Sequence, residues 1–301
     1  MKPEISVIMP VYNVEKYISI AVQSILDQSF ENLELIIIDD ASTDKTYKII
    51  NQFSDKRIIK LQNKANKGVA HTLNEGLKIA RGKFVARMDG DDISKTDRFE
   101  KQLNVMKSNP ELIISGTSME LISSDGKFIK SQEKKSCNEE IKIRLFFGHT
   151  ALAHPSIIIR KQLLDLFCLR YDSAFQYAED YDLYCRSIQY APMGNLKESL
   201  IQYRLHDESV SQKFHMQQLI DAKTALYLHL RRLRLPFTLK QFKIHTSIAF
   251  NDKTFFVPQK EIQLWFRNLQ EWNQINNYFN KELFERYCSI YQTELIQRRG
   301  I

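Results

Sequence analysis

Three acids fall within four residues at Asp89-Gly90-Asp91-Asp92, directly after the apolar run from Phe84 to Met88. Carboxylates this close repel one another unless donors or a cation neutralise them. A hard divalent cation held by oxygen ligands, itself bridging the phosphates of a nucleotide, suits such a cluster. The plainer alternative is a solvated acidic turn, or a helix start with favourable dipole contacts. A second pair, Asp39-Asp40, closes the run Leu33 to Ile38. A carboxylate there can accept hydrogen bonds from a base N–H or a ribose hydroxyl, or simply cap a strand. Tyr12-Asn13 follows a third run, Ile5 to Met9, that ends at Pro10. Asn66-Lys67-Gly68 precedes a helical stretch, where a turn with an N-cap accounts for it equally well.

Elements of alternating type must position these groups. Ile5–Met9, Leu33–Ile38, Ile58–Leu61 and Phe84–Met88 read as strands, the first a compact run suited to a parallel strand buried on both faces. Between them, Tyr17–Leu26, a stretch ending near Phe53, and Val69–Ala80 carry helical spacing, with Ser42 or Thr43 expected to cap the second. The acidic run at 89–92 is expected to lead into a helix near Lys95. Repeated β-α-β units imply a doubly wound, mostly parallel sheet with helices on both faces. Ligands of such sheets bind outside the carboxyl ends of the strands. Tyr12-Asn13, Asp39-Asp40 and Asp89–Asp92 all fall on that edge.

Composition narrows the classes. The chain has 301 residues, 43% hydrophobic and 26% charged, enough apolar material for a core and too much for a disordered chain. Its unbroken aliphatic runs are far shorter than the roughly 20 residues of a membrane helix. The N-terminal run lacks the h-region and cleavage site of a signal peptide. Cys137, Cys168, Cys185 and Cys288 show no metal or disulfide spacing, so a reducing cytoplasm is the expected compartment. A formal charge of +7 favours an anionic partner.

Quoted in order, ISVIMPVYNVEKYI, SILDQSFENLELIIIDDASTDKT and NKGVAHTLNEGLKIARGKFVARMDGDDI, with Arg98 and Gln102 after them, resemble the successive signatures of the family 2 glycosyltransferases. HPSIIIR at 154–160, AEDYDLYCR at 178–186 and YRLHDESVS at 203–211 extend the resemblance over residues 4–212, the tail excluded. It implies a GT-A fold and a UDP-sugar donor. Tyr12 and Asp40 match positions that hold the uracil, with Pro10, Asp39, Asn66 and Lys67 beside them. Asp89 matches the first acid of the DxD motif, near ribose and metal, and Asp91 the second, the ligand of Mn²⁺ or Mg²⁺. Glu179-Asp180 resembles the family's acid pair, with Asp180 as base and Glu179 and His154 on the acceptor side. His206 falls where the family reaches the metal or diphosphate, and Arg204 where it assists with phosphate charge. From the residues alone, Asp180 equally suits an N-cap for a helix Tyr181–Ile188, and Asp182 competes for the base role.

Two departures are small: Ala41 where the family commonly has Gly, and Thr96 where Pro is frequent. The QxxRW motif of processive members is missing; Trp265 and Trp272 lie in other contexts. The expectation is an inverting transfer of one hexose or N-acetylhexosamine to a surface glycan such as lipopolysaccharide, lipooligosaccharide or capsule. A sugar nucleotidyltransferase would want a Gly-rich phosphate loop, which Val11-Tyr12-Asn13-Val14 is not. A non-catalytic module binding membrane or nucleic acid finds its positives only in the tail, without a nucleic-acid signature.

The domain expectation is a catalytic unit over 1–212, split at 114 into nucleotide and acceptor halves, with a helical region over 213–301. Residues 115–153 are expected to be specificity loops. From Lys213 to Lys243 seven Lys/Arg stand against one acid, Asp221. The 230–243 segment interleaves cations with leucines and phenylalanines, which suits either a peripheral contact with the inner membrane's cytoplasmic face or packing on the catalytic unit.

Overall fold

The computed structural model describes residues 2–206, 214–250 and 257–299. Nine strands form one sheet among them: β1 (Ile5–Val11), β2 (Leu33–Asp39), β3 (Ile58–Gln62), β4 (Phe84–Arg87), β5 (Ile93–Ser94), β6 (Ile114–Ile122), β7 (Phe128–Gln132), β8 (Ile158–Arg160) and β9 (Met193–Arg204). Their order is β3-β2-β1-β4-β8-β6-β9-β5, with β7 on β6. β1 pairs in parallel with both β2 and β4, and β2 with β3. β8 then runs antiparallel to β4 and β6. Every residue of β1 and β2 is buried, which is why their apolar runs are continuous rather than alternating. The register sets Val11 beside Asp39 and Asp39 beside Gln62. The carboxyl ends of β1 to β3 therefore share one edge.

Helices α1 (Ile18–Leu26), α2 (Thr46–Gln52), α3 (Val69–Ile79), α4 (Arg98–Ser108), α5 (Asn138–Phe146), α6 (Lys161–Leu166) and α7 (Glu179–Ser187) cover the sheet. Ile5, Val7, Met9 and Val11 pack with α1 and α4 in one core, while Ile8 and Ile38 face the other way with α3. The acidic run does not lead into a helix near Lys95. Ile93-Ser94 instead pairs with Gln202 and Ile201 of β9, so ladder bonds and the Ser24 hydroxyl satisfy backbone that a helix start would leave open, and α4 begins at Arg98. Ser42 and Thr43 do not cap α2 either; Asp44 Oδ1 accepts the Thr46 N–H at 2.9 Å.

Residues 115–153 are mostly regular structure, not loops: the long strand β6, the exposed ribbon β7 and α5. Beyond them lie α8 (His215–Arg232), α9 (Leu239–Phe250), α10 (Gln259–Asn276) and α11 (Lys281–Arg299). These helices share one continuous core with α3, α5 and α7. Its aromatic centre sets the Phe146 ring 5.1 Å from both His245 and Phe279 and 5.9 Å from Trp272. His245 Nε2 lies 2.7 Å from the Phe146 carbonyl, and its Nδ1 accepts the Trp265 indole N–H at 3.3 Å, which fixes the tautomer. Leu230 and Leu235 of the basic segment are buried in this core, while Leu239 is 71% exposed.

Candidate active site

The loop after β1 and the loop after β2 hold each other. Asn13 and Ala41 both adopt left-handed backbone, φ 53° and 61°. The Asn13 N–H donates to Ser42 Oγ at 2.9 Å, and the Thr43 N–H donates back to Asn13 Oδ1 at 2.8 Å. Pro10 lies buried within β1, and the Tyr12 ring beyond it is half exposed. Asp39 is fully buried; its Oδ2 accepts from the Ser42 N–H and the Gln62 amide. Asp40 gathers three donors: Asn63 Nδ2 at 2.7 Å, the Lys67 N–H on both oxygens, and the Gly68 N–H at 2.8 Å. That cradle fixes the Asn66-Lys67-Gly68 turn at the start of α3, with the Asn66 and Lys67 side chains exposed. The turn and the acid are thus one structure.

Asp89, Asp91 and Asp92 place carboxylate oxygens within 4.8 Å of one another. A side chain at Gly90 would meet Val11 Cγ1 at 2.7 Å, so glycine lets the acidic loop lie against the end of β1. Burial, and then the Asp91 charge after an opposing pull from Arg87, leaves Asp89 up at about 6 although it is ion-paired to Arg87. Asp92 is driven well above the usual range, by burial first and its two acidic neighbours next. Its Oδ1 accepts the Arg204 N–H at 2.8 Å, while the buried Oδ2 has no partner. His206 Nε2 lies 2.9 Å from Asp91 Oδ2. A buried, unpartnered carboxylate oxygen beside two further acids and an imidazole is a donor set that fits a hard divalent cation. Asp92, part of the acidic run read from the sequence but not among the ligands that the family resemblance implies, joins Asp89, Asp91 and His206.

Arg204 is buried. Its Nε donates to the Asp91 carbonyl at 2.8 Å, its Nη1 to the carbonyls of Ser123 and Ser124, and its guanidinium lies 4.7 Å from the centre of the Tyr17 ring. It braces the acidic loop from within the fold. The YRLHDESVS stretch beyond His206 lies outside the described residues.

Glu179 and Asp180 form the first turn of α7, where the helix dipole favours carboxylates. Glu179 is buried, and burial followed by the Asp180 charge raises it to about 8. Asp180 is half-buried and is also raised, with burial the cause; its Oδ1 accepts the Tyr181 N–H at 2.7 Å. His154, in a short turn ahead of β8, sets Nδ1 3.6 Å from Glu179 Oε1 and Nε2 3.0 Å from the Tyr171 hydroxyl. Burial, then the Arg87 charge, holds His154 well below its usual range, so it is neutral. Asp182, the competitor for the base role, is fully buried and ion-paired to Arg186 at 2.7 Å. Its side chain is closed off from solvent, with Arg186 on Oδ2 and Arg232 3.6 Å from Oδ1.

The acidic cluster and the α7 pair belong to one electrostatic unit. Asp180 raises Asp89, Asp89 raises Glu179, and the buried Arg87 lowers all three. Sequence reasoning passed over Arg87, although its place two residues before Asp89 aims both at one side of the strand end. Tyr171 carried no such signal.

A mixed, mostly parallel sheet whose strand ends gather an acidic cluster and a helix-borne carboxylate pair, with helices appended, is the architecture of a GT-A glycosyltransferase. The sequence profile of glycosyl transferase family 2 matches residues 6–167. An uncharacterized glycosyltransferase of Haemophilus influenzae is 34% identical over 232 residues, which cover 73% of this chain and 71% of that one. The Escherichia coli protein named UDP-Glc:alpha-D-GlcNAc-diphosphoundecaprenol beta-1,3-glucosyltransferase WfgD is 32% identical over 212 residues, 69% of this chain and 79% of its own length. In structure, residues 1–349 of Staphylococcus aureus TarS, in complex with UDP-GlcNAc, align with a TM-score of 0.68 at 17% identity, over 99% of this chain and 90% of that one. Of the longer TarS chain, this protein spans 54%. The chain belongs to glycosyl transferase family 2 and is a glycosyltransferase.

Proposed function

We propose that the protein transfers a single hexose or N-acetylhexosamine from a UDP-sugar to a hydroxyl of a bacterial surface glycan, with inversion and with a divalent cation. The observation that carries this reading is the electrostatic union of two acid groups: the crowded cluster at β4 and the half-buried Asp180 on α7. Tyr12 and Asp40 would receive the uracil, with Pro10, Asp39, Asn66 and Lys67 shaping that side and Asp89 near the ribose. Asp91, Asp89 and His206, with Asp92, would hold Mn²⁺ or Mg²⁺. Such a cation, when bound, supplies charge stabilisation for the departing diphosphate.

Asp180 takes the proton from the acceptor hydroxyl as the acceptor oxygen bonds the anomeric carbon. The bond to the diphosphate breaks, and UDP leaves with the electron pair. Burial brings Asp180 closer to the working pH, which suits a general base. One base with attack opposite the leaving group inverts the anomeric centre, and no second carboxylate nucleophile is needed. Glu179 and His154, neutral near pH 7, offer hydrogen bonds to the acceptor sugar. The donor and acceptor in the name of WfgD, UDP-Glc and GlcNAc-diphosphoundecaprenol, and the UDP-GlcNAc bound to TarS support a UDP-sugar donor and a lipid-linked saccharide acceptor.

In this reading residues 1–114 serve the nucleotide, 115–212 the acceptor, and 213–301 the placement of the acceptor side. No described helix is long and apolar enough to cross a membrane. Exposed Arg231, Arg234 and Leu239 suit a peripheral contact with anionic lipid, which salt would release. UDP release should be measured across UDP-Glc, UDP-Gal, UDP-GlcNAc and UDP-GalNAc, with Mn²⁺, Mg²⁺ or chelator. Turnover of at least one donor, abolished by chelator, is expected; no metal-dependent release with any of the four would contradict the proposal.

A further inference from the structure

The helix that carries the base is held from outside the family's motifs. Asp221, the one acid of the basic segment 213–243, is buried on α8 at 7% exposure. Its Oδ2 accepts the backbone N–H groups of Gln176 at 3.0 Å and Tyr177 at 3.1 Å, and its Oδ1 accepts from the Gln217 amide at 2.8 Å. Gln176 and Tyr177 immediately precede Ala178, whose carbonyl accepts the Asp182 N–H in the first turn of α7. One turn further along α7 the same helix makes a second tie. Arg232 Nη2 lies 3.6 Å from Asp182 Oδ1, the oxygen that Arg186 does not take. Between the two ties, His229 of α8 is buried in the shared core. A ring contact closes the entry: Tyr177 stacks on Phe214 at 4.7 Å and 16°.

We propose that Asp221 is a positioning residue for catalysis: through the Gln176 and Tyr177 amides it sets the direction in which the chain enters α7, and so the aim of Glu179 and Asp180. This rests on the reading of Asp180 as the base. Two backbone donors entering a helix need an acceptor, and a carboxylate is a strong one. A misplacement of about 1 Å at the reacting group lowers turnover by about 100-fold. The nucleotide edge hangs on β1, β2 and β4, which make none of these bonds, so donor binding should not follow. Asp221→Asn keeps an oxygen that can accept both amides, whereas Asp221→Ala leaves them without one.

The test compares wild type, Asp221→Ala and Asp221→Asn by three readings: kcat for UDP-sugar turnover, UDP affinity with Mn²⁺, and hydrogen exchange of peptides covering 174–187 against those covering 5–18. The expected result is a fall in kcat of ten-fold or more in Asp221→Ala, UDP affinity within two-fold of wild type, faster exchange confined to 174–187, and recovery of both in Asp221→Asn. Wild-type turnover in a folded Asp221→Ala overturns the proposal. So does equal loss in Asp221→Asn, or exchange that rises equally in both peptides, which would mark general destabilisation. If wild type itself turns over no UDP-sugar, the functional reading fails instead; the exchange pattern still decides whether Asp221 orders α7.

Discussion

The carboxyl edge of β1, β2 and β4, proposed to take the nucleotide, and α7, which carries the proposed base, solve the same problem, holding carboxylates in a fixed place, by different means. At the edge, the acids sit in loops at the ends of buried parallel strands and are braced by the sheet domain ahead of the tail: Asp40 by the turn 66–68, Asp39 by Ser42 and Gln62, Asp92 by Arg204. On α7 the acids sit in the first turn of a helix braced by elements far along the chain, Asp221 and Arg232 of α8 and the aromatic core of the tail. The difference teaches that one half of the site should tolerate damage to the tail and the other should not.

The largest separation should come from Asp91→Ala. Removing this carboxylate takes away an oxygen of the cluster that His206 also meets. Calorimetry with Mn²⁺ should show UDP affinity down by at least about 100-fold, as the proposed role of Asp91 as a metal ligand requires. The fold should be unaffected, because the side chain lies at a partly exposed loop. Unchanged affinity would remove Asp91 from the site.

Trp265→Ala attacks the other side. The indole is buried among Phe266, His245 and the tail core, and its loss should cost about 3–5 kcal/mol in denaturant unfolding. Turnover should fall in the surviving folded protein more than UDP affinity does. Parallel losses would erase the contrast between the halves.

Glu179→Gln sharpens the comparison through pH. Glu179 titrates near 8 when folded against 4.5 normally, through burial first and the Asp180 charge second, with Asp89 adding and Arg87 opposing. The neutral His154 faces it from the turn before β8. A raised acid contributes stability below its unfolded value and loses it as pH rises through the folded one. The variant, neutral throughout, should therefore melt like wild type near pH 4.5 and above it at pH 8 to 9, in chelator. Equal melting at both ends would contradict the buried charge.

The smallest effect belongs to Ala41→Gly. Ala41 holds φ 61°, a conformation glycine adopts freely. Relief of left-handed strain, less the extra entropy of glycine, should add about 0.5–1 kcal/mol, or about 2 °C in Tm. A decrease would show that the 39–44 turn needs the methyl.

The same contrast decides what the sequence disclosed. β1, β2 and β4 are legible because both faces are buried and apolar residues dominate them, with Ser6, Glu34, Asp39 and Arg87 the exceptions. β6 was missed because its buried positions include Ser115, Thr117 and Ser118, polar residues that look like loop. Distant groups make them tolerable: the Thr117 N–H donates to Ser156 Oγ, and Ser118 Oγ accepts the Lys134 N–H. Tyr12, Asp40, Asp89 and Asp180 were visible as motif positions, and the structure assembles them at one end of the sheet. Asp221 was visible only as an isolated acid among cations, since the two amides it holds ahead of α7 lie 44 and 45 residues back. Trp265 and Trp272, matching no motif, are anchors of the tail core.

The division of labour rests finally on Asp180. In one preparation of Asp180→Asn, kcat for the best UDP-sugar and UDP affinity with Mn²⁺ should be measured side by side against wild type. The account predicts affinity within two-fold and turnover down by about 10²–10⁴, the contribution of a positioned base. Turnover retained in Asp180→Asn but lost in Asp182→Asn, or UDP affinity lost with Asp180, would contradict it.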